Sequence, residues 1–194
     1  GAVDAGEARL VFGAPGLQSS AGTMVGVTYR TGVAGDFVGD TVAPAGDMDH
    51  DGIKDFLIGA PRSDQSASDA GVVYLVFGDP GIDELSPGPL SLNSLAACAS
   101  QTLCGVKFLG AGSGDKAGAS LSRAGDVNAD GFDDILIGAP GADPAGRADA
   151  GVVYLIFGPI GPGTISLASV GTTTPGLVLR GETAGDHLGA SVSQ

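Results

Sequence analysis

The sequence has no tryptophan, few positive charges and no long hydrophobic run. No segment approaches the roughly 18 apolar residues that suggest a membrane-spanning helix, so we expect no membrane insertion. Nine lysine and arginine residues stand against 22 acidic ones, which gives a formal net charge of −13 and a pI of about 4.1. Because nucleic acid and anionic membranes would repel such a chain, the charge balance argues against either as a partner.

Cysteine is also scarce, since only Cys98 and Cys104 occur. A disulfide between them is the favoured interpretation and would fit a secreted protein, with reduced surface thiols as the alternative. No signal peptide is visible at Gly1, so we expect a mature form or a segment of a longer protein.

Glycine and aliphatic residues, by contrast, are abundant. The 194 residues include 35 glycines, and 43% of the chain is hydrophobic. A disordered acidic tail would contain fewer aliphatic residues. Short apolar runs separated by glycine instead indicate one folded domain with many tight turns between short strands.

The acidic residues concentrate in two loops with the same spacing. Residues 47–55 place carboxylates at positions 1, 3, 5 and 9 of the loop and glycine at position 6; residues 126–134 repeat this with an amide at position 3. Carboxylates packed so closely disfavour a compact loop unless a cation lies among them, and calcium accepts six to eight oxygen ligands. The spacing predicts calcium rather than a solvated turn. An EF-hand does not fit, because it requires a 12-residue loop that ends in glutamate.

Three further motifs recur around these loops in one order, which indicates an internal repeat. They are a ten-residue segment ending in Phe-Gly at 4–13, 69–78 and 149–158, a Gly-Asp turn at 35–39, 114–118 and 185–189, and Gly-Ala-Pro at 59–61 and 138–140. Each complete unit predicts four strands, separated by the Gly-Asp turn, the acidic loop and the Gly-Ala-Pro turn.

The apolar runs favour strands over helices. Residues 72–77 and 152–157 are mostly β-branched or aromatic and are bounded by glycine. They do not alternate with polar residues, so we expect them to be buried on both faces, as in the stacked sheets of a propeller. The inserts at 80–105 and 159–176 are rich in proline, glycine and serine, and predict outer connections with an extra turn or a short edge strand.

Phe-Gly and Gly-Ala-Pro motifs separated by a calcium-type loop resemble the FG-GAP repeats of the integrin α-subunit N-terminal β-propeller. The resemblance covers nearly the whole chain apart from the inserts. It implies an all-β fold built of propeller blades, each with four antiparallel strands, and calcium loops on the lower face of several blades. Relatives include secreted bacterial proteins and phospholipase-linked domains.

The resemblance also implies which residues hold calcium. In each loop, side chains at positions 1, 3, 5 and 9 and the carbonyl at position 7 would be ligands. For two calcium sites these are Asp47, Asp49, Asp51, Ile53 and Asp55, and Asp126, Asn128, Asp130, Phe132 and Asp134.

Repeat boundaries predict a single propeller segment with an incomplete ring. Residues 1–24 would end one blade, 25–103 would form a full repeat with its insert, 104–175 a second full repeat, and 176–194 the start of a further blade. Since a propeller needs about four blades or more, we expect part of a longer propeller or assembly with other copies or chains.

Some polar residues lie outside the metal pattern. Asp133 is expected to be solvated. Asp36, Asp115 and Asp186 in the Gly-Asp turns are expected to cap backbone amides rather than contact a ligand.

No motif predicts an enzyme. His50 and His187 each stand without a paired nucleophile or second histidine, and there is no nucleophile elbow, phosphate loop or zinc signature.

The leading hypothesis is therefore an extracellular, secreted or cell-surface module for adhesion or protein–protein recognition, with structural calcium and a protein ligand or neighbouring blades as partners. The alternatives are a self-assembling subunit of a ring or filament (a homo-oligomer) and an accessory domain of a secreted hydrolase.

Overall fold

A computed structural model describes residues 3–11, 26–81, 89–95 and 103–194. Within these ranges the chain forms strands and three short 3₁₀ helices. The strands are β1 (Ala8–Val11), β2 (Gly26–Arg30), β3 (Thr41–Gly46), β4 (Asp55–Ala60), β5 (Val72–Val76), β6 (Leu90–Ser91), β7 (Gly105–Leu109), β8 (Ser120–Gly125), β9 (Asp134–Ala139), β10 (Val152–Ile156), β11 (Gly163–Ser166) and β12 (Gly176–Arg180).

These strands form three sheets in the described part of the chain. The first sheet has the order β1-β2-β6, the second β3-β4-β5-β7-β11, and the third β8-β9-β10-β12. The third sheet is entirely antiparallel, as are the first four strands of the second. The predicted all-β fold of propeller blades with four antiparallel strands is confirmed, and the described strands do not close a ring.

Both inserts add a strand to an outer edge, as predicted. Strand β6 pairs in parallel with β2, and β11 pairs in parallel with β7. Each is followed at once by a 3₁₀ helix, Leu92–Ser94 and Leu167–Ser169. The second insert follows β10 of the third sheet, and its strand β11 joins the outer edge of the second sheet. The first insert follows β5 of the second sheet, and its strand β6 joins the first sheet, so each insert connects two successive blades.

The apolar runs are buried because they lie between neighbouring sheets. All five residues of β5 are buried, and so are all five of β10. On β5, Val73 and Leu75 belong to a core shared with the third sheet, whereas Val72 and Tyr74 belong to a core shared with the first. The predicted burial on both faces is confirmed, and its cause is this packing of one blade against another.

The predicted disulfide falls partly outside the described residues. Cys104 precedes β7 and is not a free cysteine. Cys98 lies outside the described ranges, so its pairing with Cys104 stays a prediction.

The glycine of each Gly-Ala-Pro motif packs against the backbone of the next blade. A side chain on Gly138 would collide with the carbonyl oxygen of Gly189 and with the Ser120 hydroxyl, which itself donates a hydrogen bond of 2.7 Å to the Gly189 carbonyl. In the preceding blade, a side chain on Gly59 would collide with the Gly118 carbonyl in the same way. Only glycine permits this contact.

We therefore predict that Gly138→Ala destabilises the protein by about 1–3 kcal/mol or more, because the added methyl must push two backbones apart. Denaturant unfolding measures the loss. Gly161→Ala is the matched control, because nothing lies within 4 Å of the added methyl. Equal stability of the two variants would contradict the proposed role of the close contact.

Candidate metal centre

The two acidic loops occupy equivalent places in successive blades. The first connects β3 to β4, and the second connects β8 to β9. Each turns through a glycine with positive φ, 90° at Gly52 and 93° at Gly131. Glycine adopts this left-handed conformation without the steric strain of a side chain, so its place in the motif has a backbone cause.

Backbone amides of the first loop donate hydrogen bonds inward to its carboxylates. The amides of Asp51 and Gly52 donate to the two oxygens of Asp47, at 3.1 and 3.0 Å. The amide of Ile53 donates to Asp51 at 2.7 Å. The chain is thereby wound around the carboxylate of Asp47.

The second loop repeats this arrangement bond for bond. The amides of Asp130 and Gly131 donate to the two oxygens of Asp126, at 3.0 and 2.9 Å, and the amide of Phe132 donates to Asp130 at 3.0 Å. The equal spacing of the two sequences therefore produces one backbone conformation.

The last carboxylate of each loop is buried and joins two turns of the blade. Asp55 is 3% exposed and accepts hydrogen bonds from the amides of Met48 at 2.6 Å and of Gly78 at 2.8 Å. Gly78 is the glycine of the Phe-Gly motif. In the second loop the corresponding residues are Asp134, Val127 and Gly158.

Sequence reasoning missed the two Phe-Gly glycines as part of this site. Gly78 lies 23 residues after Asp55, and Gly158 lies 24 residues after Asp134. That recurring distance was the signal in the sequence. A side chain on Gly78 would also collide with Ile53, so the backbone can approach the carboxylate only because the residue is glycine.

Three acidic side chains of the first loop converge. Oxygen atoms of Asp47, Asp49 and Asp55 lie within 4.8 Å of one another. Burial raises the pKa of Asp55 to about 6, and the charges of Asp49 and Asp47 add to this rise against the hydrogen bonds from Gly78 and Met48. Burial and the Asp51 charge likewise raise the pKa of Asp49.

This donor set fits a hard divalent cation. Carboxylate oxygens are the preferred ligands of calcium, and a bound cation would offset both the burial and the mutual repulsion that raise these pKa values. Asp51 lies outside the converging group and instead accepts the hydrogen bond from Ile53. A ligand role for Asp51 and for the carbonyl of Ile53 stays a prediction.

The second loop has one carboxylate fewer at the predicted ligand positions and is more exposed. Asn128 replaces the aspartate at position 3, and its side-chain amide donates a hydrogen bond of 2.7 Å to Asp130. Asp126, Asn128 and Asp130 are exposed, whereas Asp134 is fully buried. Ligand roles for these side chains and for the carbonyl of Phe132 also stay predictions.

The expectation that Asp133 is solvated is wrong. Its side chain is only 12% exposed and forms an ion pair with Arg123. It also accepts a hydrogen bond of 3.0 Å from the amide of Asp47 in the other loop, and Lys54 lies 3.8 Å away. Although burial raises the pKa of Asp133, hydrogen bonds from Arg123 and Asp47 lower it below the usual range.

Asp133 therefore fastens the second loop to the first. A second contact lies beside it, where the rings of His50 and Phe132 meet edge to face with their centres 4.8 Å apart. The sequence spacing could not show this link, because the two loops are about 80 residues apart and meet only when the blades pack.

Aspartates of the Gly-Asp turns behave largely as expected. Asp115 accepts a hydrogen bond from the amide of Gly112 at 2.8 Å, and Asp186 accepts one from the amide of Thr183 at 2.8 Å. These two capping roles are confirmed. Asp36 differs, because its partner is the hydroxyl of Thr31.

Comparison with protein families agrees with the repeat structure. The FG-GAP repeat family matches residues 38–76 and 117–156. Each match starts in the Gly-Asp turn, passes through the acidic loop and ends at the third strand of the corresponding sheet, β5 or β10.

Integrin α-chains are similar to a larger part of the sequence. Integrin alpha-PS2 of Drosophila melanogaster is 34% identical over 134 residues, which cover 66% of this chain and 8% of that protein. Integrin alpha-IIb of Mus musculus is 31% identical over 127 residues, covering 63% of this chain and 10% of that protein. The chain thus spans about a tenth or less of the length of these relatives.

The strand order, the two repeat matches and the similarity to integrin α-chains agree with one another. The chain contains two repeats of the FG-GAP family and is similar to integrin α-chains over about two thirds of its length.

Proposed function

We propose that this chain is a calcium-stabilised propeller module for adhesion or protein recognition outside the cell, without catalytic activity of its own. The observation that carries the proposal is the convergence of Asp47, Asp49 and Asp55 within 4.8 Å in a loop whose backbone bonds recur in the next blade. Similarity to integrin α-chains supports the recognition role.

Calcium would be structural in this proposal. The side chains at positions 1, 3, 5 and 9 of each loop would hold it, and a bound divalent ion would supply the positive charge that the loop lacks. Since Asp55 also binds the Phe-Gly turn through Gly78, fixing the loop would fix the ends of three strands of one blade.

The segments predicted from the repeats are retained as proposed units, with 25–103 and 104–175 as full repeats between two partial ones. Surfaces on these blades would meet a protein ligand or neighbouring blades. Among the described residues, no helix is long and apolar enough to cross a membrane.

Removal of calcium is the direct test. With free calcium about tenfold above Kd, each site would add about 1.4 kcal/mol, and two sites would raise Tm by roughly 5–10 °C for a chain of this size. We expect EDTA to lower Tm by this amount and excess calcium to restore it.

The matched control is the double variant Asp47→Ala and Asp126→Ala, whose Tm should not respond to calcium. A wild-type Tm that is unchanged by EDTA would contradict the calcium proposal, while leaving the propeller fold intact.

The two loops should differ in affinity. At the proposed ligand positions the first offers four carboxylates and the second offers three, and calcium affinity rises with ligand charge. We therefore expect Asp126→Ala, which retains the first loop, to bind calcium about three- to tenfold more tightly than Asp47→Ala. Isothermal titration calorimetry gives both constants, and equal constants would rule out the charge argument.

A second candidate function, self-assembly, is favoured by one surface. Strand β12 is an edge strand of its sheet, and Leu177 and Leu179 on one face of it are 55% and 49% exposed. Successive blades in this chain cover such faces by packing on them, so another copy of the chain could do the same.

Light scattering tests this candidate. If copies associate through β12, the mass should rise with concentration and Leu177→Ser with Leu179→Ser should return it to the monomer value. Val42→Ser, at a 64% exposed site on another strand, is the control. A constant monomer mass of the unsubstituted chain at high concentration with calcium would contradict self-assembly.

A further inference from the structure

Tyr74 and Tyr154 occupy equivalent positions in successive blades but contact different side chains. In the second sheet, the Tyr74 hydroxyl accepts a hydrogen bond of 2.6 Å from the side-chain amide of Gln65. The ammonium group of Lys107 donates to the same Gln65 side chain at 3.0 Å and lies 5.9 Å from the centre of the Tyr74 ring. An alkylammonium group of the chain itself, that of Lys107, therefore lies within cation–π distance of this tyrosine.

Strand register identifies the corresponding positions in the third sheet. Tyr74 on β5 lies opposite Lys107 on β7, and Tyr154 on β10 lies opposite Val178 on β12. The position that carries the ammonium in one blade thus carries valine in the next.

The third sheet also lacks a counterpart of the Gln65 side-chain amide. Gln65 follows Asp64, whose carboxylate accepts the amide of Asp69 at 2.7 Å. In the next blade Asp143 accepts the amide of Asp149 at the same distance, and the residue that follows Asp143 is proline, Pro144. Neither of the two side chains that cover Tyr74 has a polar counterpart beside Tyr154.

A cavity of about 390 Å³ occupies this place. Its lining includes Tyr154, Asp115, Asp143, Leu167 and Arg180. Tyr154 is 5% exposed, and its hydroxyl makes no hydrogen bond within the described part of the chain. Because Tyr154 lines the cavity, its hydroxyl is available to a ligand there.

The charges around the cavity favour a cation. Asp115 is 8% exposed and accepts one hydrogen bond, from Gly112. Asp143 also lines the cavity and adds a second negative charge, while Arg180 at the exposed rim supplies one positive charge. Burial, together with the charge of Asp115 and against that of Arg180, raises the pKa of Tyr154 to about 12, so the hydroxyl keeps its proton at neutral pH.

We propose that this cavity binds a primary alkylammonium group, which lies over the Tyr154 ring beside Asp115 as the Lys107 side chain lies over Tyr74. The ligand is a free alkylamine or the side chain of a partner's lysine, since both present the same ammonium on an apolar stem. Leu167 and neighbouring apolar residues line the part of the cavity that contacts the stem.

The probe is n-butylammonium, followed by NMR of the ¹⁵N-labelled chain, with n-butanol as the uncharged control. We expect saturable shifts of the Ala142 and Tyr154 amides with a Kd on the order of millimolar, as befits a ligand of five heavy atoms. Shifts that fail to saturate, or equal shifts with n-butanol, would overturn the proposal.

Exchange of residues between the two blades supplies matched variants. Val178→Lys introduces the internal ammonium at the cavity and should abolish binding. Lys107→Val with Gln65→Ala should create a second site beside Tyr74. Unchanged binding to Val178→Lys would contradict the proposal, as would absence of the new site.

Asp115→Asn keeps an acceptor for Gly112 but removes the charge, and should weaken binding about tenfold. It decides the question if Val178→Lys does not fold, because an unchanged Kd would show that Asp115 does not recognise the ammonium.

The two sources of the ligand are separated with Nα-acetyl-lysine amide. If this compound binds at least as tightly as n-butylammonium, the site accepts a lysine side chain of a polypeptide. If only n-butylammonium binds, the site is restricted to free amines. If neither binds, the proposal fails, and the calcium proposal is unaffected because its test reads Tm.

Discussion

The buried carboxylate at the end of each acidic loop connects the rest of the blade. Asp55 accepts hydrogen bonds from the beginning of its own loop, at Met48, and from the Phe-Gly turn, at Gly78. A buried carboxylate is unfavourable unless such donors or a cation compensate its charge. One side chain thus sets the ends of β3, β4 and β5 relative to one another. This explains why the acidic loop and the Phe-Gly motif occur together.

Contacts between blades depend on the same loops and on glycine. The side chain of Asp133, in the second loop, accepts a hydrogen bond from the backbone amide of Asp47 in the first loop. Arg123 and Lys54 lie beside this carboxylate. Elsewhere the backbones themselves touch, as at Gly138, where no side chain fits. The blades are therefore joined by a charged link at one place and by close backbone packing at another.

Equivalent positions in the two complete blades have diverged in charge. The first acidic loop has an aspartate where the second has Asn128, and the ammonium that Lys107 places over Tyr74 has no counterpart beside Tyr154. Since the backbones correspond, these differences arise from single side chains. The same backbone therefore carries a different set of charged side chains in each acidic loop, and a different residue opposite each tyrosine.

The sequence by itself determined the local structure. Short apolar runs between glycines specified the strands, and the spacing of residues 47–55 specified the acidic turn, because both depend on neighbours in the chain. Tertiary structure decided which turns meet. That Asp133 is held by the other loop and that Val178 lies opposite Tyr154 are consequences of sheet register and blade packing. These contacts join residues far apart in sequence, so no local spacing encodes them.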